Sequence, residues 1–433
     1  MARKMKDSGI AWIGEIPEEW KVVPLKYLCT NSITDGTHKT PTYTDKKSGI
    51  PFLSSKDITK GKIDWLHIKY ITKELHKQLQ KEVKPQRDDI LLAKNGTTGI
   101  AALVEDDTIF DIYVTLADIR PDKNQILPKY MLYCINSELC KLQFDWHLLG
   151  IGVPNLHLNV IKETKLTTPP LDEQHRIAAF LDEKCAHIDA VIEKTRASID
   201  EYKKLKHAII TRAVTKGLRK GRKMKDSGIE WIGEIPQEWE ARRIKTLFQL
   251  RDERNSLPLE QVNLISLYTD KGVMQHSDIE KTTGNKASHA DGYKKVYQND
   301  IVVNIILCWM GAIGRSDYDG VTSPAYDVYI PSEEIDSRFY HHYFRTSGFS
   351  GDCYKRGKGI MAMRWRTYSD QFRDIRVVMP PLPEQREILA YLDAKTAAID
   401  RLIAKKEQLI AEMQSCKKSL IYEVVTGKRE VPI

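Results

Sequence analysis

The chain has 433 residues, 41% hydrophobic and 29% charged, with 67 Lys and Arg against 59 Asp and Glu, for a net charge of +8. That length exceeds one average domain and that apolar content exceeds what a disordered chain carries, so two or three packed units are expected. The longest apolar run, Ile301 to Gly314, is broken by Asn304 and falls short of the roughly 20 residues that span a bilayer, so no membrane contact is expected. The start, MARKMKDSGI, is basic but has no apolar stretch behind it, which points to a cytoplasmic chain without a secretory signal. Seven cysteines never occur as C-x-x-C or beside His at zinc-ligand spacing, so reduced, mostly buried thiols and no metal site are expected. The positive excess fits a protein that meets a polyanion with part of its surface.

The first recognisable element, MKDSGIAWIGEIPEEW at Met5–Trp20, returns as MKDSGIEWIGEIPQEW at Met224–Trp239, changed only at Ala11/Glu230 and Glu18/Gln237. Trp12, Trp20, Trp231 and Trp239 recur with it and read as packing anchors. Strand-like runs follow, IPFLSSKDI from Ile50 and DDILLAKN from Asp88, then the turn-rich NGTTG and a helical stretch near Tyr130–Leu142. Two polar loops here suit base edges. DGTHKTP (Asp35–Pro41) offers His38, Lys39 and Thr40, and the second offers Lys94, Asn95, Thr97 and Thr98.

At Pro169 the sequence PPLDEQHRIAAFLDEKCAHIDAVIEK opens a long helix, repeated from Pro380 as PPLPEQREILAYLDAKTAAIDRLIAK. The segment-to-Pro-Pro distance is 164 positions in one half and 156 in the other, so the chain is a tandem duplication bracketing two dissimilar cores. A heptad seam is read at Ile388, Leu392, Lys395, Ile399, Leu402, Lys406, Leu409, Met413, Cys416 and Leu420, and 211 positions earlier in the first copy. Such helices, about 40 to 45 residues each, are expected to pair with one another in an intramolecular coiled coil. Lys184 and Lys395, at equivalent seam positions, either set register or snorkel. Gly217 and Gly427 stand as stop signals. The linker Arg219, Lys220, Arg222, Lys223 and Lys225 either touches phosphates or is a solvated connection.

The second core echoes the first, because DIVVNIILCWMGAIG from Asp300 aligns with DILLAKNGTTG from Asp89, each Asp 80 positions before its Pro-Pro. Arg315 follows that run. Lys355, Arg356, Lys358, Arg364 and Arg366 gather around Trp365, a candidate phosphate-and-base surface. Phosphate-loop, zincin, nucleophile-elbow and dinucleotide fingerprints are absent, and neither Pro-Pro pair has the flanking Asp or Asn and aromatic residue of an amino-methyltransferase pocket. The reading is a binder with no catalytic residue of its own.

With its doubled KDSGI-x-WIGEIP-x-EW and PPL-x-EQ motifs, and with DGTHKTP and SPAYDVY (from Ser323), the whole chain resembles the DNA specificity subunit of type I restriction-modification systems. The resemblance implies an α+β fold. Two mixed α/β target recognition domains would be separated by two long helices forming an antiparallel coiled coil, arranged as a pseudo-twofold tandem repeat. The expected organisation is framework segment 1–20, recognition domain 21–168, spacer helix 169–218, basic linker and framework segment 219–240, recognition domain 241–379, and C-terminal helix and tail 380–433. Each domain would read one half of an asymmetric bipartite sequence in double-stranded DNA, through His38, Lys39, Thr40, Lys94, Asn95, Thr97, Thr98, Arg315, Lys355, Arg356, Lys358, Arg364 and Arg366. The helices would act as a ruler for the gap. The resemblance also implies two adenine-N6 methyltransferase subunits and two restriction/translocase subunits as partners. S-adenosylmethionine, ATP and magnesium would be bound by those partners and no cofactor by this chain. The alternative is a coiled-coil scaffold whose variable domains bind protein; salt-dependent DNA binding separates the two.

Overall fold

The computed structural model describes residues 3–148, 154–269, 271–278, 289–359 and 365–432. The chain forms two compact units that do not follow the two halves of the sequence. One is Met1–Thr195 with Glu407–Ile433, and the other is Arg196–Lys406. Each therefore joins one variable core to the start of its own long helix and to the end of the other.

In the first unit the framework segment makes a short hairpin, Met5–Asp7 against Glu15–Pro17, and the strand Lys21–Pro24 pairs antiparallel with Lys165–Thr168 just before the Pro-Pro pair. Between them lies a four-stranded antiparallel sheet ordered Thr34–Asp35, Leu116–Ile119, Ile90–Ala93, Ala101–Leu103. A second sheet holds Asp111–Ile112, Ile50–Leu53, Lys69–Ile71 and Tyr43–Thr44, its first pair parallel. All four residues Ile90–Ala93 are buried, which is why this strand reads as a continuous apolar run rather than an alternation. The helical stretch foreseen near Tyr130–Leu142 is two helices, Pro128–Ile135 and Glu138–His147, with Ser137 capping the second through Leu139 N.

The second unit repeats the plan. Glu240–Arg243 pairs with Arg376–Met379, and the central sheet runs Phe248–Leu250, Tyr326–Pro331, Ile301–Asn304, Ile313–Arg315. Ile301–Asn304 stands 211 positions after Ile90–Ala93 and is likewise fully buried. Asp89 and Asp300, just ahead of these strands, do the same job with different partners. Asp89 accepts from Gln86 N and from Arg120, Asp300 from Tyr297 N and from Arg251. The core keeps its charge pair while its arginine migrates to another strand.

The PPL-x-EQ motif has a physical explanation. Glu173 accepts from the Trp20 indole at 2.9 Å and from Arg3, and Glu384 accepts from the Trp239 indole at 3.0 Å and from Arg222. The following glutamines bond the chain entering the helix. Gln174 donates to Pro169 O and accepts from Leu127 N, while Gln385 donates to Pro380 O and accepts from Asp336 N. Trp20 and Trp239 are buried anchors as expected, whereas Trp12 is 46% exposed and Trp231 donates to Asp352. The linker arginines are engaged too, Arg222 with Glu384 and Arg219 with Glu387 at 2.7 Å.

The long helices run Leu171–Lys216 and Leu382–Val425, closed by Gly217 and Gly427 at φ near +71° and +72°. Their 4-3 repeat stands, but its register is corrected. The inward stripe is Leu392, Thr396, Ile399, Ile403, Lys406, Ile410, Met413, Lys417 and Leu420, while Lys395, Leu402, Leu409 and Cys416 are exposed. The first helix shows the same shift, with Cys185, Ile192 and Ile199 buried and Lys184 and Leu205 outside. Lys184 and Lys395 therefore do not set the register. Lys417 reaches Asp189 at 2.7 Å in the first unit, and Lys206 reaches Asp400 at 2.7 Å in the second, each pair joining antiparallel segments. Five of the seven free cysteines are buried; Cys29 is half-buried and Cys416 exposed. Among the described residues no helix is long and apolar enough to cross a membrane, and no cluster is suited to a metal ion.

Candidate nucleic-acid interface

In the first unit the strand Ile90–Ala93 and the strand Thr34–Asp35 end at the same edge region, and the two polar loops leave from there. Asp35 ties them together. Its carboxylate takes the Lys94 ammonium and lies 3.2 Å from the His38 ring. Lys94 is 6% exposed, so the expectation that it meets a duplex directly is corrected: its charge is spent inside the protein, holding the loop. His38, Lys39 and Thr40 project outward, Lys39 N bonded to the Thr37 hydroxyl at 3.2 Å. A cleft of about 530 Å³ opens beneath this loop, walled by Leu75, Leu79, Glu82 and Lys162. In the second loop, Thr97 is exposed, Asn95 and Thr98 are half-buried, and Gly96 and Gly99 take positive φ to make the turn. Asn95 bridges Asn155, and Leu156 N donates to Lys94 O at 2.8 Å. The segment 154–156 thus joins the site, which the sequence reading had not included.

The second unit builds the same junction. Thr367 N donates to Ile305 O at 2.9 Å, both positions 211 after Leu156 and Lys94. Here the turn is the short helix Cys308–Met310, closed by Gly311 at φ +88°. It carries Leu307 and Met310 exposed at 37% and 53%. Trp309 lies 5.6 Å from Tyr354, and Tyr354 stacks on Trp365 at 5.0 Å and 23°. Lys358 and Arg366 bridge each other through their backbones and expose their side chains. Lys355 pairs with Glu230 at 2.5 Å and Arg356 lies 3.7 Å from Asp374, both at exposed positions where such pairs are weak. Arg364 lies outside the described residues.

Arg315 does not join this cluster. Antiparallel pairing sets it opposite Ile301, at the far end of the strand from the turn, and its guanidinium is held by Asn299 at 2.8 Å and by Asp317. Behind it, His341 accepts from Arg315 N at 3.1 Å; burial and the neighbouring His342, Arg345 and Arg315 push its pKa down to about 3. In the first unit, burial and the neighbouring Asp89 carboxylate raise Asp118 to about 7, a shift that lies in the core rather than at the loops.

Two equivalent sheet ends, each bearing a turn and a returning segment, with cations and hydroxyls at one and cations and aromatics at the other, define a protein with a duplicated framework and two different tips. The family described as type I restriction modification DNA specificity domain matches residues 17–201 and 236–412, and the chain belongs to it. It is 25% identical to a putative type I restriction enzyme MjaX specificity subunit of Methanocaldococcus jannaschii, over 97% of this chain and 96% of that one. It is 24% identical to the EcoBI specificity subunit of Escherichia coli over 46% and 42%. The fold is shared with a chain from a structure addressing complex assembly and conformational transition of the type I R-M system, at TM-score 0.68 and 16% identity, covering 96% and 99%. It is also shared with the HsdS subunit of Thermoanaerobacter tengcongensis, at TM-score 0.52 and 17% identity, covering 96% and 98%. The DNA specificity role expected from the sequence is therefore the role of this chain.

Proposed function

We propose that each unit reads one half of a bipartite, asymmetric target in double-stranded DNA, and that the chain is the non-catalytic member of its complex. The observation that supports this most is the pair of sheet-end junctions 211 positions apart, alike in backbone and unlike in side chains. A constant scaffold with exchanged tips suits two different half-sequences. His38, Lys39, Thr40, Asn95, Thr97 and Thr98 would face one half, with Lys355, Arg356, Lys358 and Arg366 at the other. Lysines and arginines give salt-dependent phosphate affinity; hydroxyls and amides add about 1 to 3 kcal/mol of discrimination per good base contact.

The paired helices would set the gap between half-sites. Two methyltransferase and two restriction/translocase subunits would dock on the chain, bringing S-adenosylmethionine, ATP and magnesium, so that methyl transfer and cleavage occur on them in the cytoplasm. The test is a genome-wide map of N6-methyladenine in cells with a cognate methyltransferase subunit, with and without this chain. A two-part motif with a fixed gap, present only with the chain, is the expected result. Deleting one heptad from each helix should then change the gap and leave both half-sequences intact. An unchanged gap would defeat the ruler.

A further inference from the structure

The turn following the central strand occupies the same place in both units but carries opposite chemistry. In the first unit it is Asn95, Thr97 and Thr98, three hydrogen-bonding side chains. In the second it is Leu307, Trp309 and Met310, with Met310 more than half exposed and nothing polar at its tip. An exposed thioether and leucine near a tryptophan–tyrosine stack would be a poor surface for water, yet the returning segment bonded to this turn through Thr367 N and Ile305 O carries the exposed side chain of Arg366, with exposed Lys358 bridged to it. For these two, no side-chain ion pair occurs among the described residues. An apolar tip with cations at its side is complementary to one feature of a DNA groove, the C5-methyl group of thymine, which is the only apolar group on the major-groove edge of the four bases and lies between two rows of phosphates.

We infer that the second unit recognises its half-site in part by apolar contact between Met310 and a thymine methyl, so that this half-site contains an A·T pair read without a hydrogen bond at that position. The inference rests on the reading that this junction faces DNA. It makes the two halves different in kind, one read through polar bonds at its turn and the other through a methyl contact.

The test uses the full chain assembled with its methyltransferase subunits and synthetic duplexes carrying the motif found by methylation mapping. Each thymine is replaced in turn by deoxyuridine, which removes one methyl group and nothing else. One position should lose about fourfold in affinity, the value of burying a single methyl group, and that loss should disappear in Met310→Ala while other positions respond as before. The double variant Lys358→Ala, Arg366→Ala serves as the separate check on orientation, because loss of two phosphate contacts weakens binding across sequences and flattens the salt dependence. If that double variant behaves so but no deoxyuridine position distinguishes wild type from Met310→Ala, the methyl contact is wrong and the DNA-facing reading stands. If neither set of variants changes binding, the junction does not face DNA and both fall.

Discussion

Substituting Glu384 by Gln tests the clasp that fixes the second framework segment to its helix. The carboxylate is 7% exposed and holds both the Trp239 indole and Arg222, whose own side chain is 12% exposed. Glutamine keeps an oxygen for the indole but removes the charge that balances the guanidinium. Breaking a buried pair costs about 3 to 5 kcal/mol, and Glu238, 3.2 Å from Arg222 but 58% exposed, recovers part of it. A net loss of about 2 to 3 kcal/mol is expected, or roughly 5 to 10 °C in the transition of a unit of this size. Burial alone would raise the Glu384 pKa, but hydrogen bonds from Arg222 and Trp239 outweigh it and hold the group below its usual 4.5. Its contribution is therefore complete above about pH 4.5 and fades as pH falls through the lower folded value. Urea unfolding followed by tryptophan fluorescence at pH 7 measures the loss, since Trp239 reports at the clasp itself. A Glu384→Gln protein within 0.5 kcal/mol of wild type, on the order of an ordinary surface change, would refute the reasoning.

The helix register makes a paired prediction: Ile399→Ala should cost about 2 to 4 kcal/mol and Leu402→Ser little, whereas both would be costly had the seam run through Leu402 as well. Lys94→Met should leave Asp35 unbalanced and loosen the first recognition loop, so that the methylated motif degenerates in one half only; an unaltered motif would show that the loop needs no such tether. His341, held neutral at about 3 against an unfolded value near 6.5, contributes stability above pH 6.5 that is lost as pH falls; by pH 5 the loss approaches an upper bound of about 2 kcal/mol, and His341→Gln should flatten that part of the stability profile.

The framework was legible because its motifs occur twice and each residue in them has one physical job: a tryptophan to bury, a glutamate to accept its N–H, a proline pair to start the helix. The helix seam was legible only in its period. Leu402 and Ile403, Leu409 and Ile410, and Val191 and Ile192 are adjacent apolar residues, so two stripes that differ by one position at every second place fit the pattern equally well. The structure chooses the stripe that brings Lys206 and Lys417 to Asp400 and Asp189, contacts between residues nearly 200 or more positions apart that no local pattern contains. The loops were harder for the same reason. Lys94 looks like any exposed loop lysine until Asp35, 59 positions earlier, is folded against it. Arg315 follows an apolar run in sequence, but antiparallel pairing carries it to the opposite end of its strand. Met310 was passed over because a sequence reading for DNA contacts looks for charged and hydrogen-bonding side chains, and the departure of WMGAIG from NGTTG was the signal available.

The first unit is completed by the last residues of the second long helix. Tyr130 and Thr167 donate to Val425 O, the Tyr422 hydroxyl donates to Trp12 O, and Gly427 sits against Pro17 and Trp20 so closely that a Cβ there would lie 2.3 Å from the proline ring. During synthesis, the earliest recognition domain to emerge must wait through more than 200 further residues before its closing segment exists, while the second unit already has all its parts once residue 406 is made. The order in which the two units have all their residues is thus the reverse of the order in which they begin to be made. A nascent chain stalled before residue 407 would carry a complete second unit and an open first one, whose uncovered Pro17 and Trp20 are part of the surface a chaperone or a protease would meet.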